Sequence, residues 1–175
     1  MSSARKMALT GLLVALAVVI MLLGGVVPLA TFCCPLLAGL MLIPIFVECG
    51  GKLAGCAYAA IAALGLILCP DKEAALLFAF IGHYPLLRWR LEQIRRTPLR
   101  IAAKLAVFNV CILAMYGLII LVFQMEQIIA EYREMGMLLT LFTLLLGNVC
   151  LLLYDRMIAV VTAVYVHRFR SKLIK

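Results

Sequence analysis

Between Met7 and Val47 this 175-residue chain carries no charged side chain at all. Charged residues make up only 14% of the whole, against 67% hydrophobic ones, and the mean hydropathy is +1.18. Ordinary soluble domains are roughly 45–50% apolar. A compact domain of this length has no interior large enough to hide such an excess, so a water-soluble fold is excluded. Acid is scarce as well: eight Asp and Glu stand against sixteen Lys and Arg, a net charge of +8. Such a surplus can mark nucleic-acid binding. Here the cations lie at the ends of apolar runs, where they set topology or meet anionic lipid headgroups. Lipid is the expected partner and nucleic acid is not.

The familiar catalytic patterns are missing too. No HExxH surrounds either histidine, which leaves a zinc protease without its ligands. No GxSxG is present, so a serine hydrolase has no nucleophile elbow. There is no Walker A loop for a nucleotide and no paired-aspartate signature of an intramembrane protease. The seven cysteines are Cys33, Cys34, Cys49, Cys56, Cys69, Cys111 and Cys150. None makes a CxxC, and most lie inside apolar runs, where a thiol behaves as a small hydrophobe. The chain is therefore expected to hold no metal and no cofactor, and to be no enzyme.

What the chain does have is apolar runs of membrane length. A spanning helix needs about 20 mostly apolar residues. Arg5 and Lys6 before the first run resemble a signal peptide, but the run continues past a typical h-region and is read as a retained helix. Gly24-Gly25 and Pro28 end it, Pro35 and Pro44 bracket a second segment, and ECGGK (residues 48–52) is a polar hairpin. PDKE then starts a fourth helix, since proline suits the first turn and Asp71 and Glu73 favour its positive end. That helix is short, with Lys72 free to snorkel. The reading is an all-α membrane bundle of six helices, near 7–27, 35–48, 53–69, 71–89, 101–124 and 137–166. The sixth could also end at Tyr154, which would leave Asp155-Arg156 at the inner interface.

Six spans place both termini on one side. Thirteen Lys and Arg fall on that side and only Lys72 and Arg133 on the other, with Arg156 set apart. The positive-inside bias makes the terminal side cytoplasmic. A miscount by one helix would destroy the split. The expectation is a multi-pass protein of a bacterial plasma membrane.

Several residues invite functional readings. His83 in the fourth helix is either a metal ligand, proton relay or catalytic base, or simply a side chain hydrogen-bonded to a neighbouring helix near the Pro85 break; the second is favoured. Asp155 and Arg156 point about 100° apart on a helix, so each needs its own partner. Asn148, Asp155 and Thr162 share a face by their spacing of seven, as do Asn109, Tyr116 and Phe123. Those stripes either fix helix packing or line a site. On the outer side Asp71, Glu73 and Glu126 stand over Phe78 and Phe123, and could hold a small cationic or heterocyclic molecule; Tyr116 and Asn148 join them as candidates. In the first helix Ala4, Ala8, Gly11 and Ala15 form a smooth stripe that lets another backbone approach closely. Its start beside Arg5-Lys6 suggests an external partner helix.

By size, six helices, inside termini and an AxxxA motif at Ala4 and Ala8, the chain resembles the substrate-binding S component of an energy-coupling-factor transporter. The resemblance implies capture of a vitamin-like micronutrient in an outward-facing pocket. It also implies a transmembrane coupling protein, met through the alanine motif, and cytoplasmic ATPases that supply the energy. The chain departs from the family in its short first outer loop, VVPLATFCC, and in having its single tryptophan, Trp89, on the inner side. Two other readings stand beside it: a non-transporting membrane scaffold on a related fold, and a membrane enzyme built on His83 and Asp155.

Overall fold

The computed structural model describes residues 3–24, 30–120 and 126–169, and the side chains of all these except 126–138 and 169. Every described element is helical. The helices are α1 (Ser3–Gly24), α2 (Ala30–Leu40), α3 (Leu42–Cys49), α4 (Gly51–Leu68), α5 (Lys72–Ile81), α6 (Tyr84–Leu91), α7 (Thr97–Leu118) and α8 (Glu126–Val164). A π-helical turn, Tyr165–Phe169, follows α8. Five stretches are long and apolar enough to cross a membrane: α1, α2 with α3, α4, α7 and Leu139–Arg168 of the last helix. The chain is thus a helical protein of multi-pass membrane character.

The boundaries differ from expectation where proline was read as a terminator. Pro35 lies buried inside α2 rather than before it. Its missing N–H removes one helical bond, which membrane bundles tolerate when neighbours hold the segment in place. Pro44 falls in the first turn of α3, where no helical bond needs its N–H. The break comes at Met41, whose N–H reaches back only three residues to Ala38 at 3.1 Å. The expected fourth span is likewise two helices, α5 and α6, parted at Gly82-His83 ahead of Pro85. The last helix starts at Glu126, eleven residues before the expected 137, and does not end at Tyr154. Its 39 residues measure about 58 Å at 1.5 Å each, nearly twice a bilayer's apolar core.

Short signals in the sequence act locally: the hairpin forms where expected, while the helix expected to carry Pro70 in its first turn begins at Lys72. At the ECGGK hairpin Gly50 takes φ +87°, a left-handed value that favours glycine. The Asp71 carboxylate caps α5 by accepting from the Ala74 N–H at 3.1 Å. Lys72, expected to snorkel, instead folds back. Its ammonium donates to the Leu66 and Cys69 carbonyls at 2.9 and 3.0 Å, closing the negative end of α4. The Tyr58 hydroxyl donates to the Ala79 carbonyl, just before the α5–α6 break.

The α2–α3 pair is the centre of the bundle: 44% of its apolar window is buried, against 11–28% for the other four. One face packs with α1, α4 and α5 through Ala17, Met21, Ala38, Leu42, Ile45, Ala57, Ile61 and Phe78. The alanines let backbones approach closely. The other face, with Leu40 and Ile43, meets α5–α8 through Leu76, Leu77, Ile81, Met115, Tyr154 and Ile158. Gly39 leaves room for Tyr154, whose hydroxyl donates to the Leu36 carbonyl at 3.0 Å; a Cβ there would come within 2.7 Å of that oxygen. All seven cysteines are free thiols.

Gly82 is the most tightly enclosed of the described glycines. An added Cβ would meet the Phe78 carbonyl at 2.5 Å and the Phe78 ring at 2.8 Å. Gly82→Ala is expected to cost about 2 kcal/mol through overpacking, read as a lower unfolding temperature in detergent. Gly11→Ala, where the added Cβ meets nothing within 4 Å, should leave that temperature unchanged.

Candidate functional site

Tyr84, Arg88 and Glu92 are spaced by four and so share one side of α6 and its C-terminal cap. Arg100 and Lys104 do the same on α7. Both sides turn toward Asp155 on α8. The Asp155 carboxylate accepts from the Tyr84 hydroxyl at 2.9 Å and from the Arg88 Nε at 2.8 Å through one oxygen. Its second oxygen accepts from the Lys104 ammonium at 2.8 Å. Lys104 also donates to Glu92 at 2.6 Å, and Arg88 and Arg100 each reach Glu92 at 3.1 Å. Three cations and two carboxylates are thus joined in one continuous network.

Burial makes this network costly to break. The Lys104 side chain is only 5% exposed and Asp155 14%, while Glu92 at 32% lies at the wet end. Lys104 is the one charged residue classed as buried among the described residues. Each buried charge has two or three charge-assisted hydrogen bonds, which is the condition for holding ions out of water. The Lys104 hydrogen bond, aided by Arg88 and Arg100, holds the Glu92 carboxyl below the usual range against a smaller opposing effect of burial.

A neutral pair continues the seam along α7 and α8. The Asn109 amide donates to the Asn148 oxygen at 3.0 Å and receives the reciprocal bond at 3.2 Å. Each also donates to its own helix, to Leu105 and Leu144 at 2.8 and 2.9 Å. Further along α7, the Tyr116 hydroxyl donates to Glu73 on α5 at 3.0 Å. Of the two polar stripes read from the sequence, Asn109, Tyr116, Asn148 and Asp155 thus bond to neighbouring helices. Thr162 turns its hydroxyl back to the Ile158 carbonyl at 2.7 Å.

The remaining candidates are placed as follows. Asp71 serves as the α5 cap. Phe78 is fully buried in the core, with its ring 5.9 Å from that of Tyr58. Phe123 and the Glu126 side chain lie outside the described residues. His83 makes no hydrogen bond to another helix among the described residues; its ring instead meets Tyr58 edge-on at 5.9 Å. Arg156 is exposed and, unlike Asp155, has no ion pair among the described residues. Ala4, Ala8, Gly11 and Ala15 are all exposed on α1. No group of three His, Cys, Asp or Glu suited to a metal occurs among the described residues. Arg88, Glu92, Arg100 and Lys104 were read from sequence only as topology-setting or loop charges. The signal that could have found them is the lone carboxylate of Asp155, which demands a cation from elsewhere.

Compared with known proteins, the chain matches no family model, no curated protein and no solved structure.

Removing one member of the buried pair should expose its value. Lys104→Met is expected to cost about 3 kcal/mol, because the buried second oxygen of Asp155 loses its cation while Arg88 and Tyr84 still hold the first. The same change in an Asp155→Asn background should cost clearly less, a coupling measured by a double-mutant cycle of detergent unfolding. Acid gives an independent check through Glu92. Its folded pKa lies below the unfolded one, so its contribution is present above the unfolded value, near 4.3, and is lost as pH falls through the folded value. A Glu92→Gln variant should lose less stability than the wild type over that acid window.

Proposed function

We propose that this chain is the substrate-capturing subunit of an energy-coupling-factor type uptake transporter for a micronutrient. In this reading α5 and α6 together make the fourth of six crossings, both termini are cytoplasmic, and ligand enters from the outer side. The protein performs no catalysis and delegates ATP hydrolysis to cytoplasmic ATPases through a transmembrane coupling protein.

The observation that carries the reading is the division of α1 into two unlike faces. Ala17, Val18 and Met21 are buried in the bundle, whereas Ala4, Ala8, Gly11 and Ala15 are all exposed beside Arg5 and Lys6. A smooth, exposed helix face in a bilayer is suited to close approach by a partner helix, because tight packing takes the place of a hydrophobic driving force there. In this reading the outer pocket lies at the ends of α5 and α7, where Glu73 and Tyr116 meet. A non-transporting membrane scaffold is the second reading. It is favoured by the Asp155 network, which ties α6, α7 and α8 through internal partners.

Native mass spectrometry of the protein extracted gently from its own membrane separates the two. Transport predicts a bound micronutrient-sized mass or co-purifying ATPase subunits. An Ala8→Leu/Gly11→Leu variant should then lose the ATPases about tenfold, near 1.4 kcal/mol, with its unfolding temperature unchanged. Stable unrelated protein partners, with neither ligand nor ATPase, would transfer the assignment to the scaffold.

A further inference from the structure

A cleft of about 570 Å³ opens between the end of α3, the first turn of α4 and the α5–α6 break. Its walls are Phe46, Leu86 and Leu87, with His83 at the break, and its cations are Lys52 and Arg90. Lys52 and Arg90 are exposed and have no side-chain hydrogen bond or ion pair among the described residues. The neighbouring cations differ: Arg88, Arg100 and Lys104 are all engaged by Glu92 and Asp155. Glu48, the one acid of the adjoining hairpin, has contacts of its own. Neither cation of this cleft is therefore held by an ion pair among the described residues, and the walls beside them are hydrocarbon.

The depth of the cleft is marked by Trp89. That residue is 63% exposed, and its ring lies 6.1 Å from the ring of Phe46 in the cleft wall. An exposed tryptophan on a membrane helix marks the headgroup level, where its apolar body and N–H are both accommodated. We propose that the cleft binds an anionic phospholipid, with its phosphate held by Lys52 and Arg90 and its first acyl methylenes along Leu86, Leu87 and Phe46. Basic clefts between membrane helices take anionic headgroups by this combination of charge and apolar wall. The backbone assists, since Gly51 presents no side chain in the cleft and α4 has no side-chain cap at Gly50. A free phosphate would use the same cations and leave the apolar walls without a role. This site does not depend on the transporter reading, because lipid retention is measured without substrate or partner.

The test is native mass spectrometry of the purified chain, titrated with phosphatidylglycerol or with phosphatidylcholine of the same acyl chains. Wild type should retain phosphatidylglycerol about tenfold better. Lys52→Gln/Arg90→Gln should remove that preference, while Arg95→Gln/Arg96→Gln, which removes equal charge from the α6–α7 loop, should keep it. Leu87→Trp, which fills the cleft and leaves both cations in place, should also lose retention. Equal loss in the two Gln pairs would show diffuse attraction and overturn the site. So would wild-type indifference to the headgroup, or displacement of the lipid by millimolar inorganic phosphate. Unchanged unfolding temperatures in the variants separate lost binding from lost folding.

Discussion

A carboxylate in the middle of an apolar helix has few stable options: it must find a cation, neutralise itself, or reach water. Asp155 finds cations, and much of the bundle's arrangement follows from that requirement. Arg88 comes from α6, Lys104 from α7, and Tyr84 supplies a third donor to the same carboxylate. Glu92 then engages the same two cations, adds Arg100, and is the more exposed end of the network. A hydrophobic contact between these helices could slide by a turn at little cost in a bilayer, because lipid is as apolar as the partner helix. A hydrogen-bonded charge cannot slide. The Asn109–Asn148 pair fixes the same two helices at a second level, so both their rotation and their register are set.

The breaks in the helices serve this arrangement. Proline and glycine are tolerated here because neighbouring helices meet the backbone groups left near each break. Tyr58 bonds the Ala79 carbonyl before the α5–α6 break, and Lys72 closes the end of α4. The two-part central helix, α2–α3, can present one face to α1 and α4 and the other to α7 and α8. Gly39 completes that contact by letting the Tyr154 hydroxyl approach α2.

The surfaces left over have distinct chemistry. The network consumes its own charges internally and is suited to holding shape. The exposed stripe of α1 has no charge beyond its first turn and suits another helix. The cleft by Trp89 carries two cations, Lys52 and Arg90, without an ion pair among the described residues. The three surfaces lie in separate places on the bundle.

Membrane character was legible in the sequence because bilayer length and the absence of charge are properties of a single segment. The ECGGK hairpin and a helix start near Asp71 were legible for the same reason, since a tight turn and a helix's first turn are decided within about four residues. That Asp71 is the cap itself was decided by the structure. The long start of α8 and the split fourth segment were not legible. Proline and charge mark possible ends, while packing decides which of them become real ones. The candidate site was half legible: Asp155, Asn109 and Asn148 stood out as polar groups in apolar runs, but their partners did not. In a soluble helix the polar face would have shown which side turns inward. Here lipid-facing and core-facing residues are equally apolar, so sequence alone determined that Asp155 must be paired. Only the tertiary structure, by setting the rotation and depth of α6 and α7, decided that Arg88 and Lys104 would pair with it.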